Sequence, residues 1–265
     1  MRTLAKLAWV EVKLFAREPI AVVFAFAFPL VVLLVLAGVF GSEPDANFGG
    51  VAGIDYYVPG YLAVVVASVG LIGLPVHLAS LRERGVLRRL RASSVSMTSV
   101  FAAQTAVHVA MAALGGAVLL LAAGLVYDVH APSSVAGVAL GFAVGALSFV
   151  GLGLLLGSLA PTARAAQAIG VVLFFPIWLL SGAGPPRGVM TEAMRQLSDV
   201  LPLTRVVTAI QQPWLGTGSN LPELVALSGL FAAAVALTAW TNTVGAAGLR
   251  PSSGRHERPA AGARP

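Results

Sequence analysis

Six stretches of this sequence run without a single charged side chain: Pro19 to Phe40, Tyr56 to Leu81, Val100 to Val126, Val135 to Leu159, Ala165 to Leu180 and Leu224 to Leu249. A helix needs about 20 apolar residues to cross ~30 Å of hydrocarbon, and each stretch meets or approaches that length. Lipid offers no water to the backbone, so a spanning segment must close its own hydrogen bonds as a helix. The two-residue alternation of a barrel strand is missing. The implied fold class is an all-α integral membrane protein with six spans. Composition agrees: 11% of the 265 residues are charged, against about 25% in soluble domains, too few to solvate a surface. The first stretch is longer than a signal-peptide core and no A-x-A site follows it, so it reads as a retained span.

Orientation follows from the basic residues, which collect on the cytoplasmic side of membrane proteins. With the N-terminus inside, the inner segments hold fourteen of the seventeen Lys and Arg residues and the outer segments three, Arg187, Arg195 and Arg205. Both termini are therefore expected in the cytoplasm. Residues 1–18 read as a cytoplasmic interfacial helix: Arg2, Lys6, Lys13 and Arg17 share one stripe, and Leu4, Leu7, Leu14 and Phe15 lie roughly opposite on a face that Glu11 and Glu18 interrupt. Residues 19–249 form the six-span domain, and 250–265, rich in Pro, Gly, Ser and Arg, read as a disordered cytoplasmic tail. Between the fifth and sixth spans, Met190 to Leu201 and Leu203 to Gln211 suggest two short outer-leaflet helices, the second ending before Pro213. Gly137, Gly141 and Gly145 recur every fourth residue on the fourth span, a spacing that invites close helix packing.

The chemistry the chain excludes is informative. There is no cysteine, hence no disulfide and no thiolate metal site. No G-x-x-x-x-G-K-[ST] occurs, and the two lysines, Lys6 and Lys13, follow no glycine-rich loop, so no nucleotide is hydrolysed here. No carboxylate lies inside the six uncharged stretches, which argues against a proton-coupled carrier. No continuous basic face exists for nucleic acid. No catalytic residue, metal ligand or bound cofactor is expected.

The most distinctive polar segment joins the second and third spans: Arg82-Glu83-Arg84-Gly85-Val86-Leu87-Arg88-Arg89-Leu90-Arg91-Ala92-Ser93. A topogenic loop needs only charge. An apolar side made by Leu81, Val86, Leu87 and Leu90, with a Glu among arginines, suits a short helix docking in a partner's groove. The segment closely resembles the coupling segment of bacterial ABC-transporter permeases of the type-2 exporter family. Glu11 to Pro19, Phe28-Pro29, Phe175 to Gly182 and Leu201 to Thr204 resemble that family's other motifs, in the same order; Ser94 departs from it where many members have Pro.

The resemblance implies a half-channel that pairs with a second permease, a copy or a homologue, and with cytoplasmic ABC ATPase subunits that hold ATP and Mg. It implies a place in the bacterial cell membrane and export of a drug, lipid or glycan. Arg82, Glu83, Arg84, Gly85, Arg88, Arg89 and Arg91 would transmit ATP-driven motion, with charge-assisted hydrogen bonds at the contact. The helix bearing Lys6, Lys13, Arg17 and Glu18 would form the other side of that dock. The inner faces of the second, third and fifth spans would line the path of an amphipathic or lipid-like cargo, with Gln104, Thr105, His108 and Trp178 as its few polar or aromatic side chains. Helix–helix hydrogen bonding or interfacial anchoring explains those four residues at least as well. A non-transporting anchoring or assembly subunit, and an ion-coupled secondary carrier, are the rival readings.

Overall fold

The computed structural model describes residues 22–41, 43–92 and 96–247, with backbone alone for Arg88, Leu90, Arg91 and residues 242–247. The expected interfacial helix with Lys6, Lys13, Arg17 and Glu18, and the tail over 250–265, lie outside the described residues. In chain order the helices are α1 (Val23–Phe40), α2 (Gly53–Glu83), α3 (Val86–Ala92), α4 (Met97–Val126), α5 (Val135–Leu159), α6 (Ala163–Leu180), α7 (Glu192–Val200), α8 (Pro202–Leu215) and α9 (Leu221–Ala247). Six of them, α1, α2, α4, α5, α6 and α9, are long and apolar enough to cross a membrane. The protein is an all-α membrane protein; the only strands among the described residues are β1 (Pro44–Asp45) and β2 (Val51–Ala52), a two-residue antiparallel pair.

Three spans, α4, α5 and α6, start where a polar side chain satisfies one of their free first-turn amides. The Ser96 hydroxyl accepts from Ser99 N, Ser134 from Gly137 N, and Thr162 from Ala165 N, at 3.0–3.1 Å. The caps start α4 and α6 two or three residues ahead of their uncharged stretches, whereas α5 coincides with its own.

Helix α2 is the axis of the fold. Its whole apolar window is buried, enclosed by α1, α4, α5, α6 and α8. At its middle, Val69–Gly73 widens into a π turn, a form that inserts one extra residue into the helix. Pro75, having no N–H, can donate to neither the Gly70 nor the Leu71 carbonyl. Both carbonyls are met from outside by glycines: a Cβ built on Gly153 of α5 or on Gly170 of α6 would fall within 3.0 Å of the Gly70 or Leu71 oxygen respectively. Three helices thus touch backbone to backbone at the centre, with the glycine Cα–H groups facing carbonyls that α2 leaves open.

The glycine stripe of α5 packs within the chain, against α8. Gly137 meets Pro213, Gly141 meets the Ala209 carbonyl, and Gly145 meets Val206. Helix α8 runs through Pro213 to Leu215, longer than the sequence suggests. A proline so placed cannot pair with the carbonyl four residues earlier, that of Ala209. The Asn220 amide donates to that oxygen at 2.9 Å and to Gly137 O at 3.1 Å, so the broken ladder is repaired from the next loop. Leu203, Val206, Val207, Ile210 and Trp214 bury the inner face of α8, whereas α7 is exposed except at Ser198. The Ser148 hydroxyl, bonded to Val144 O and Leu227 O at 2.8 Å, ties α5 to α9.

The two ends of the bundle differ in charge. One end holds the turns around α3 and between α5 and α6, and carries Arg82, Arg84, Arg88, Arg89, Arg91 and Arg164 with Glu83 as the lone carboxylate among the described residues. The far end carries Glu43, Asp45, Asp55, Asp128, Glu192, Asp199 and Glu223. All three far-end arginines are paired: Arg187 with Asp199, Arg195 with Glu192 and Arg205 with Glu223. Asp55 is buried beside the α4–α5 connection, accepting from His130 N at 3.1 Å and from His130 Nδ1 at 2.8 Å.

Candidate functional site

At the arginine-rich end α2 stops and the chain turns before α3. Gly85 adopts φ +71°, a left-handed conformation that only glycine enters cheaply, and Gly85 N donates to Arg82 O at 3.0 Å. Gly85→Ala is expected to destabilise the domain by about 1–2 kcal/mol, read as a fall in melting temperature in detergent. The turn redirects Val86–Ala92 as a separate helix. Leu87 is its anchor: it is 8% exposed and packs with Leu74, Leu78, Val100, Val150 and Leu154 of α2, α4 and α5. The apolar side expected for this helix is therefore partly spent against the protein's own core.

The charged residues divide into two sets. Arg82 is half-buried and reaches under α5, with Nη1 donating to Ser158 O at 2.9 Å and Nη2 donating to Gly157 O. These are the last carbonyls of α5, where the helix dipole presents partial negative charge. Glu83 accepts from Ala163 N at 3.2 Å, the first amide of α6, where the dipole is positive. Two adjacent side chains of α2 thus hold opposite poles of two neighbouring spans. Arg84 and Arg89 instead stand exposed, and Arg88 and Arg91 lie on the same short helix α3. Sequence reading put all of these charges in one contact surface. The geometry assigns Arg82 and Glu83 internal partners, Gly157, Ser158 and Ala163. Those partners are backbone atoms about 75–80 positions away, which no local pattern could have indicated.

The four side chains expected along a single path are not brought together. Gln104 and His108 are buried on one face of α4, with His108 Nδ1 bonded to Gln104 O at 2.9 Å and its ring 5.7 Å from that of His77 on α2. Thr105 points elsewhere, donating back to Phe101 O at 2.9 Å beside a 510 Å³ apolar cavity against α5 and α9. Trp178 belongs to an aromatic cluster joining α1 and α6, edge-on to Phe28 at 5.3 Å and to Phe175 at 6.1 Å. The apolar window of α2 is buried against its neighbours within the chain. Gln104 with His108, Thr105 and Trp178 thus have three separate local surroundings.

Among the described residues no cluster of three or more His, Asp or Glu side chains could hold a metal ion. What the arginine-rich end offers is mechanical: a short basic helix, rooted by Leu87 and joined through the Gly85 turn to the central span, whose last turn grips two other spans. Such a helix can receive a push from outside the bilayer and pass it to three helices at once. No curated protein matches the sequence. The family model of the ABC-2 type transporter matches residues 3–214, from ahead of the first span through the buried Trp214 of α8. With six spans, that helix between the second and third, and no nucleotide-binding motif, the chain belongs to the ABC-2 type transporter family, as its membrane-spanning permease subunit.

Proposed function

We propose that this permease carries an amphipathic or lipid-like molecule, of the drug, lipid or glycan class, outward across the bacterial cell membrane by alternating access. Both termini lie in the cytoplasm in this reading, because the arginine-rich end faces inward by the positive-inside rule. A separate ABC ATPase binds ATP and Mg and docks on α3, and a second permease, a copy or a homologue, completes the channel. The observation that supports the reading best is the placement of α3, a basic helix at the turn of the central span with Arg84 and Arg89 exposed and Leu87 fixed in the core. Arg84 and Arg89 would meet carboxylates of the ATPase; Lys6, Lys13, Arg17 and Glu18 would complete the dock from the N-terminal helix.

Affinity co-purification in mild detergent tests the dock. Arg84→Glu/Arg89→Glu is expected to lower recovery of the ATPase at least tenfold while leaving the permease monodisperse. Like charges brought into close contact cost several kcal/mol, more than the tenfold loss requires. Equal recovery from wild type and variant would remove α3 from the dock. If no ATPase associates at all, the anchoring-subunit and ion-coupled-carrier readings take its place, and an imposed ion gradient driving solute uptake into vesicles would favour the carrier.

A further inference from the structure

The sixth uncharged stretch begins at Leu224, but α9 begins at Leu221 and brings Glu223 into the span with it. Its depth can be read against α5, which runs beside α9. Leu227 O accepts from the Ser148 hydroxyl, and Phe231 and Ala234 meet Gly151. Glu223, one helical turn above Leu227, therefore lies level with Val144, about nine residues inside the far end of α5. Its ion-pair partner gives the same level: Arg205 of α8 precedes Val206, which meets Gly145. The 25 residues of α5 exceed ~30 Å of hydrocarbon by only ~4 Å at each end, so the pair lies ~10 Å inside the apolar layer.

Charges at that depth are costly, and those that persist are paired or face a functional cavity. Arg205 is only partly paired. Its Nη1 donates to the two carboxylate oxygens of Glu223, at 3.3 and 3.1 Å. Among the described residues, its Nε–H and Nη2–H groups meet no acceptor, and neither nitrogen is enclosed: the side chain is 42% exposed. These two groups form the side edge of the guanidinium, whose parallel N–H bonds match two oxygens of a phosphate or carboxylate. Thr208 and Gln212 follow Arg205 at helical spacing on the half-buried face of α8, so the surface leading from the far end to that edge is polar. Acyl chains offer such a surface no acceptor. We infer that the free edge of Arg205 takes the oxyanion head of an acidic amphiphile drawn into the far-end half of the membrane, while Glu223 holds the guanidinium in place. As a narrowing of the cargo to acidic amphiphiles this rests on the permease reading; the binding itself rests on neither orientation nor transport.

The sequence has no cysteine, so Ala226→Cys, exposed one turn below Glu223 on α9, gives a unique site for a fluorophore. The full chain is purified in a maltoside detergent, which carries no phosphate, without ATPase or nucleotide, and titrated with chain-brominated phosphatidic acid. The expected result is saturable quenching. Brominated diacylglycerol, which lacks the oxyanion, should quench only in proportion to its mole fraction. Arg205→Gln/Glu223→Gln removes both charges together and should raise the half-saturating concentration roughly tenfold or more, the share of a charge-assisted, bidentate contact. Glu223→Gln alone keeps the guanidinium and removes a repelling carboxylate, so it should lower that concentration. Equal binding by the double variant and the wild type, or weaker binding by Glu223→Gln, would overturn the assignment to Arg205. Saturation by diacylglycerol matching that by phosphatidic acid would overturn the oxyanion and leave an apolar groove. Displacement of the lipid by an equal concentration of inorganic phosphate would overturn the amphiphile in favour of a free anion. With no ATPase present, none of these negatives bears on the permease reading, which stands or falls on ATPase recovery.

Discussion

Replacing Gly153 by leucine is expected to abolish the folded, monodisperse permease, whereas Gly124→Leu leaves it intact. Both are glycines in the interior of long spanning helices, and by helix propensity alone each substitution should help by several tenths of a kcal/mol. What differs is the neighbour. A Cβ on Gly153 would lie within 3.0 Å of the Gly70 carbonyl oxygen and close to Leu74; a Cβ on Gly124 would meet nothing within 4 Å. The Gly70 oxygen cannot yield cheaply. It belongs to the π turn of α2, which is packed on every side and pinned on its other flank by Gly170 against Leu71 O. Overpacking a well-filled core typically costs about 1–3 kcal/mol and sometimes more. Here relief requires separating two backbones, so the upper part of that range or beyond is expected, a large share of the ~5–15 kcal/mol that holds a protein folded. Size-exclusion profiles and melting temperatures of the two variants in one detergent check the contrast. A monodisperse Gly153→Leu protein melting near the wild type would mean that α5 and α2 do not meet as described. Gly170→Leu, on the other side of the same turn, is expected to fail in the same way.

The contrast shows which parts of the molecule the sequence could reveal. The spans are written in one-dimensional terms, as runs without charge, because the bilayer imposes the same demand on every residue of a run. The short helix of residues 86–92 was legible for a similar reason: apolar and basic residues alternate there at helical spacing, and Gly85 breaks the chain before it. Nothing comparable marks Gly153 as vital and Gly124 as free, since that difference lies in which helix stands opposite. The α5 stripe of Gly137, Gly141 and Gly145 could be read as close packing, yet its partner α8 could not, because that helix seemed to end before Pro213. Only the Asn220 amide, seven residues further on, lets it continue. The surroundings of the candidate cargo-lining side chains were hidden for a related reason. Polar residues in a span stand out in sequence whether they face a passage or another helix, and Gln104 and His108 proved to be buried between α4 and α2.

Arg82→Ala and Glu83→Ala are expected to separate ATPase binding from transport, in contrast to the charge reversals on Arg84 and Arg89. A helix docked on an ATPase can drive the spans only if its motion is delivered to them rather than absorbed in the turn at Gly85. Arg82 and Glu83 sit just before that turn, where α2 ends. The guanidinium holds Ser158 O and Gly157 O of α5, and the carboxylate holds Ala163 N of α6. Each contact joins a full charge to the helix pole of opposite sign, worth up to about 2 kcal/mol in a partly buried geometry. Removing either would let α2 and α3 tilt without moving the ends of α5 and α6. At about 1.4 kcal/mol per factor of ten in rate, loss of one contact is expected to slow ATP-driven transport by about tenfold or more. ATPase recovery in co-purification should stay near the wild-type level. Glu83→Gln is the sharper variant, since the amide oxygen can still accept from Ala163 N while the charge is lost, so its transport should fall between wild type and Glu83→Ala. Transport into inside-out vesicles, measured beside ATPase recovery from the same preparations, gives both readouts. If Arg82→Ala and Glu83→Ala lose the ATPase as completely as Arg84→Glu/Arg89→Glu, all four residues form one docking surface, and the grip on α5 and α6 has no separate part in coupling.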